Sequence, residues 1–169
     1  ERVRAFAELI ATETGFTGDE LNRLRWAAVL HDVGKLTIPT EILNKAGRLD
    51  RDEFEIVKTH PMAGRTLVAP LLAWLGPAAN AVWEHHERYD GRGYPQGLSG
   101  AGISLAARIV SVADSYDVMT SARSYKVPMA PEKARAELAA CAGEQFDPAV
   151  VRAFLALTLG RRSRFAGAL

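Results

Sequence analysis

The histidines of this chain are the residues whose type and position could do chemistry. There are four, and two of them are adjacent: His31, His60, His85 and His86. Any one such histidine is more often a satisfied core residue than a metal ligand. The pair His31 and Asp32 changes that interpretation, because it places an imidazole and a carboxylate at one helix end, where the two carboxylate oxygens can bridge two cations. The pattern predicts a metal site.

The donor types indicate which metals and which chemistry to expect. Imidazoles and carboxylates without thiolates suit iron, manganese, nickel or zinc, and several carboxylates argue against a purely structural tetrahedral zinc. Cys141 is the only cysteine, so neither an intramolecular disulfide nor a thiolate site is expected. Two neighbouring cations activate water and clamp the oxygens of a phosphodiester, so we expect hydrolysis without a protein nucleophile.

Composition limits the class of protein that positions these groups. The 169 residues suit one domain, with 48% hydrophobic residues and no low-complexity tract or membrane-length apolar run. The net charge of +1 argues against binding a nucleic acid polymer, although a local site for a small anion remains open. A reducing, cytoplasmic setting fits the single cysteine, and a membrane anchor in a longer protein stays open.

Helical periodicity dominates the chain. Apolar residues recur at helical spacing over residues 3–10, and Thr17 with Glu20 predicts a capping box for a second helix that ends at HDVGK. Asp50 is expected to cap a third helix. The five glycines and one proline in residues 90–102 predict an irregular loop.

The second half continues this pattern. A long helix is expected after Ser104, and two more are expected to begin near Pro131 and Pro148. No segment shows sustained alternation of apolar and polar residues. The predicted fold class is therefore an all-α bundle.

Four segments resemble the successive motifs of HD-GYP domains, in matching order and spacing from about Leu24 to Leu157. They are HDVGKLTIPTEILNKAGRL, KTHPMAG, HHERYDGRGYPQGLSG and ARIVSVADSYDVMTSARSYK. The resemblance implies a single HD-superfamily helical bundle with an irregular GYP loop over residues 1–169, with its core at about 20–157. Because the chain starts at Glu1 without an initiator Met, we expect it to be excised from a longer protein with an upstream sensory or regulatory domain, and a homodimer stays open.

The resemblance also implies a set of metal ligands. Asp32 bridges two divalent cations, most often iron or manganese, and some members of the family hold a third. One cation takes His31, Asp32 and Asp114, and the other takes Asp32, His60 and the histidine pair. The implied ligand set is His31, Asp32, His60, His85, His86 and Asp114.

Further residues match positions that act on the substrate in the family. Lys35, in HDVGK, matches a lysine near the scissile phosphate, and Arg123 and Lys126 match residues that contact substrate phosphate. Tyr94 and Gly93, in GRGYP, are implied to bind substrate, and the same loop is linked in the family to binding GGDEF domains. The residues alone leave open a surface lysine at position 35, a solvated helix end at 123–126, and a purely structural loop.

The sequence departs from the family pattern in three places. Catalytic members usually have a further ligand histidine about thirty residues before the HD pair, but residues 1–30 contain none. Either the chain begins just after that ligand or the protein lacks it. Ser104 and Ser124 stand where the family often has proline, and these changes are expected to loosen the backbone that positions the GYP loop and the segment from Arg123 to Lys126. Glu87, beside the histidine pair, either orients an imidazole or is simply exposed.

Three hypotheses follow for the function. The leading one is metal-dependent hydrolysis of cyclic di-GMP to pGpG and onward to GMP, with Asp32 and Lys35 at the reacting centre. The second is a catalytically weak or inactive module that binds cyclic di-GMP or a GGDEF domain. The third keeps the enzyme and changes the substrate to another cyclic dinucleotide or a nucleotide monophosphate.

Overall fold

The computed structural model describes residues 1–122 and 127–166, and the side chains as far as residue 157. These residues form α-helices and short 3₁₀ turns, and none of them forms a β-strand, so the all-α prediction is confirmed. The helices are α1 Arg2–Glu13, α2 Gly18–Leu30, α3 Thr40–Leu43, α4 Arg51–Val57, α5 His60–Leu67, α6 Leu72–Leu75, α7 Ala81–Glu84, α8 Leu105–Thr120, α9 Pro131–Ala140 and α10 Pro148–Ala166. Short 3₁₀ turns occupy Val33–Thr37, Ala69–Leu71, Gly76–Asn80 and Gly100–Gly102.

The main hydrophobic core lies around α8, which packs against α1, α7, α9 and α10. Small residues on α1 and α2 allow the helices to approach closely, and Ile109, Val110 and Val112 of α8 are fully buried among them. An aromatic group joins three helices: the ring of Tyr116 lies 5.0 Å from that of Phe6 and 4.7 Å from that of Phe154. This packing fixes the position of α8, and α8 carries Asp114.

A smaller core holds the helices that carry the histidines. Val68, Leu75, Val82 and Trp83 are buried together, which joins the segment after α5 to α6 and α7. Because His60 begins α5 and the histidine pair follows α7, this cluster fixes the distance between them.

The predicted helix ends are partly confirmed. Asp50 forms a capping box with Glu53 at the start of α4, and Asp147 accepts a hydrogen bond from the Ala149 amide as α10 begins. The capping box predicted for α2 is wrong. Thr17 is the residue before that helix, but its side chain makes no capping hydrogen bond.

Among the described residues, no single helix is both long and apolar enough to cross a membrane, and only the pair Arg51–Leu67 and Ala69–Glu84, bent by 47°, has the length and composition to do so together.

Candidate metal centre

The six residues implied as ligands come from four separate parts of the fold and meet at one place. His31 is the residue that directly follows α2, and Asp32 precedes the 3₁₀ turn Val33–Thr37. His60 opens α5, the histidine pair follows α7, and Asp114 lies in the middle of α8.

Two histidines lie beside one oxygen of Asp32, and a third completes the group. The Nε2 atom of His60 lies 3.4 Å from Asp32 Oδ1 and 3.4 Å from the Nε2 atom of His85, which is itself 3.8 Å from Asp32 Oδ1. With His86 included, one donor atom from each of the four residues lies within 4.8 Å of the others. Donors that share one cation at a bond length near 2 Å lie about 3 to 4 Å apart, so this group has the spacing of a metal site.

The other oxygen of Asp32 faces a different group. The Nε2 atom of His31 lies 3.4 Å from Asp32 Oδ2 and 3.7 Å from Asp114 Oδ1. The Asp32 carboxylate thus has one set of donors beside each of its two oxygens. That is the arrangement a bridging carboxylate requires.

Backbone contacts orient three of the imidazoles. The Nδ1 atoms of His31, His60 and His85 lie 2.8, 2.7 and 3.0 Å from the carbonyl oxygens of residues 28, 57 and 81. A carbonyl oxygen can only accept, so each Nδ1 carries a proton and Nε2 is the atom that each imidazole presents to the cluster.

Two buried atoms test whether a metal fits these residues. Asp32 Oδ1 and His31 Nε2 are inaccessible to solvent and have no hydrogen-bond partner among the described residues. Buried polar atoms are nearly always paired, and a bound ion is one of the ordinary explanations for an exception. The donor set, the tautomers and these two atoms all fit divalent cations.

The protonation states differ between the two sides of the cluster. Burial lowers the pKa of His60 and His85 and brings that of His86 to about 4, so these imidazoles are neutral near pH 7. Burial also opposes a charge on His31, but the carboxylates of Asp114 and Asp32 outweigh it and raise the pKa of His31 to about 10. For Asp32, burial is outweighed by His31 and Lys35, which hold its pKa well below the usual range.

Gly34, in HDVGK, brings the HD pair against α5. A Cβ atom on Gly34 would lie 1.9 Å from the carbonyl oxygen of His60 and 2.5 Å from the amide nitrogen of Gly64. Only glycine allows the 3₁₀ turn to pack this closely on the start of α5. The glycine therefore sets the distance between Asp32 and His60.

The GYP loop packs on the histidine pair through Tyr94. Its ring stacks on that of His86, with 4.9 Å between centroids and 20° between planes, and its amide donates to the His86 carbonyl at 3.3 Å. The ammonium of Lys58 lies 5.5 Å from the Tyr94 ring centroid, within reach of a cation–π interaction.

Two buried carboxylates hold the GYP loop, and the sequence analysis missed this role. Glu87 accepts hydrogen bonds from the amides of Gln96 at 2.7 Å and Leu98 at 3.0 Å, while Glu84 accepts from the amide of Ser104 at 2.8 Å. Both glutamates are almost fully buried, so Glu87 is not exposed, and its oxygens accept from the loop backbone rather than from an imidazole. The string EHHE, in which acids flank the pair, was the available signal.

Two residues of the loop region have structural roles that the sequence did not indicate. Gly93 is required by close packing, because a Cβ there would lie 2.3 Å from the amide nitrogen of Arg88. Ser104 does not loosen the backbone: its amide donates to Glu84, which proline could not do, and its hydroxyl accepts from the amide of Ala107 at 3.3 Å.

The proposed phosphate-binding residues are placed unequally. The ammonium of Lys35 donates to Asp32 Oδ2 at 2.7 Å, so it lies at the edge of the cluster and partly in solvent. Arg123 and Lys126 lie outside the described residues, as does Ser124.

Comparison with known proteins agrees with this architecture. The model of the HD domain family matches residues 1–150. The cyclic di-GMP phosphodiesterase response regulator RpfG of Xanthomonas campestris is 43% identical over 92% of this chain and 41% of its own length. A cyclic di-GMP phosphodiesterase of Thermotoga maritima is 43% identical over 93% of this chain and 43% of its own length. A 3'3'-cGAMP-specific phosphodiesterase of Vibrio cholerae is 37% identical over 92% of this chain and 30% of its own length.

A solved structure shares the fold. An HDG"Y"P protein from Bdellovibrio bacteriovorus superposes with a TM-score of 0.72 over 93% of this chain and 50% of that one, at 19% identity. The fold and the cluster are those of an HD-type metal-site domain. The chain belongs to the HD domain family. It spans less than half the length of the curated relatives named above.

Proposed function

We propose that the Asp32 cluster binds two divalent cations, iron or manganese, and that the domain hydrolyses cyclic di-GMP to pGpG. The observation that carries the proposal is the Asp32 carboxylate, whose two oxygens face two separate sets of imidazole and carboxylate donors. When bound, such cations would supply Lewis-acid activation of water and of the phosphodiester. The names of the relatives that cover most of this chain supply the substrate class.

The residues of the chain have separate tasks in this scheme. His60, His85 and His86 present neutral imidazoles at neutral pH, because burial lowers their pKa. The Lys35 ammonium, at the open edge of the cluster, is placed to offset charge that develops on a phosphate. Tyr94 packs on His86 and keeps that ring oriented while its own edge remains beside the cluster.

The test is hydrolysis by protein reconstituted with iron or manganese without oxygen. The parent protein is expected to release pGpG from cyclic di-GMP, and Asp32→Ala is expected to release none above background, because both cations lose their shared ligand. Equal release by the two proteins, or none by the parent with its metals bound, would overturn the proposal.

A second candidate is a regulatory module that binds cyclic di-GMP or a GGDEF domain through the GYP loop, alone or as a homodimer. The favouring observation is that Glu84, Glu87 and Asp90 hold the loop by protein contacts alone, so its surface does not depend on catalysis. Metal analysis discriminates the two, because the module has no need of stoichiometric iron, manganese or zinc.

A third candidate function is hydrolysis of a cyclic dinucleotide that carries a base other than guanine. The 37% identity to a 3'3'-cGAMP-specific phosphodiesterase favours it. Competition among cyclic dinucleotides for one purified preparation decides between the substrates.

A further inference from the structure

A cavity of about 400 Å³ opens from the metal centre toward α9. Its near wall consists of His85, His86 and Asp114, and its far wall of side chains from the end of α9 and the turn after it. The volume is in the range of small-molecule sites. Because metal-site residues form the near wall, a group in this cavity lies directly beside any phosphodiester held at the cluster.

The lining of the cavity suits a flat ring with polar edges. Val118, Met119 and Phe146 offer apolar surface, and the hydroxyls of Ser111 and Ser115 stand among them. Apolar walls with a few convergent polar groups are the usual setting for an aromatic ligand. In a dinucleotide whose phosphate lies at the cluster, the part with this character is a base.

Glu137 is one of the polar groups of the far wall, and its carboxylate can recognise that base. Its side chain is exposed, and the thiol of Cys141 lies 3.8 Å from its Oε1 atom. Arg88 also lines the cavity, but Asp90 engages its guanidinium through Nε at 3.1 Å and Nη2 at 2.7 Å. An ionised carboxylate only accepts hydrogen bonds, so the complementary base edge is one with two adjacent donors.

We propose that this cavity is a guanine subsite, in which the Glu137 carboxylate accepts from the N1–H and N2–H groups of the base. Adenine would present a donor at N6 beside an acceptor at N1, and the second carboxylate oxygen would then face a lone pair. The inference rests on the proposed function, since the base belongs to the dinucleotide whose phosphodiester lies at the metal centre.

The test compares cyclic di-GMP with cyclic di-AMP in the parent and in Glu137→Gln, which keeps the shape and replaces one acceptor by a donor. Affinities are measured by calorimetry on manganese-loaded protein with nonhydrolysable phosphorothioate analogues of both dinucleotides, so that the phosphate can be held at the cluster while neither ligand is turned over. The ratio of affinities for the guanine over the adenine ligand is expected to fall about tenfold in Glu137→Gln. The matched control is Glu144→Gln, an exposed neighbour outside the cavity lining, which is expected to keep the parental ratio.

Each outcome decides the assignment. Equal weakening of both ligands, an unchanged ratio, or no binding of either ligand to the parent overturns the guanine subsite. Hydrolysis is measured in parallel on manganese-loaded protein. If that protein releases no product while the affinity ratio still depends on Glu137, the proposed function fails and the subsite stands.

Discussion

Replacing Gly34 by alanine should damage both the stability of the fold and the metal centre. The new Cβ would lie 1.9 Å from the His60 carbonyl oxygen, and Cβ contacts under 3.0 Å are essentially never seen. The neighbouring atoms are backbone, so no side chain can rotate away, and the 3₁₀ turn would have to move off α5 by about 1 Å. Overpacking of this kind costs about 3 kcal/mol, which in a chain of this size lowers Tm by about 6 to 12 °C.

The same displacement would separate Asp32 from His60, whose donor atoms are now 3.4 Å apart. A misplacement of about 1 Å at a reacting centre costs roughly a hundredfold in rate, so hydrolysis should fall by that order. Thermal unfolding of metal-free protein and a manganese titration measure the two effects. Gly47→Ala is the control, because a Cβ there meets nothing within 4 Å. A Gly34→Ala protein with parental Tm and manganese affinity would refute the packing argument.

Three further outcomes are expected. Because His31, with a pKa of about 10, carries a proton that a cation at Nε2 must displace, the apparent manganese affinity should rise about tenfold per pH unit between about pH 6.5 and 8. A flat titration would contradict the pairing of His31 with two carboxylates. Glu87→Gln should lower Tm by about 5 to 10 °C, since an amide can accept only one of the two backbone hydrogen bonds, whereas Glu144→Gln should stay near the parent. Chelation should lower the Tm of the metal-loaded parent by several degrees and leave Asp32→Ala unchanged; equal shifts would argue against binding at Asp32.

The parts of the fold that the sequence predicted well are those with a strong local signal. Local signals predicted three helices: Asp50 as the cap of α4, the regular apolar face after Ser104 for α8, and Pro148 near the start of α10. The capping box that was wrongly predicted at Thr17 shows the limit of predicting helix ends from local sequence. The motif was present, but the conformation of the residues beside it did not bring the threonine oxygen to an amide.

Motif resemblance predicted the metal ligands, whereas only the structure revealed the residues that hold the ligands and the GYP loop in place. Nothing local to HDVGK shows that Gly34 packs against the backbone of His60, since the two residues are far apart in the chain. The roles of Glu84 and Glu87 also depend on contacts with a loop about ten to twenty residues away, which neither periodicity nor composition encodes. Contacts of this kind are set by tertiary packing.

Anomalous diffraction from crystals of the manganese-loaded protein tests the central claim most directly. The account predicts a manganese peak within coordination distance of Asp32 Oδ1, His60 Nε2 and His85 Nε2, and a second peak between Asp32 Oδ2, His31 and Asp114. A protein that hydrolyses cyclic di-GMP but shows no peak at the Asp32 carboxylate would contradict it.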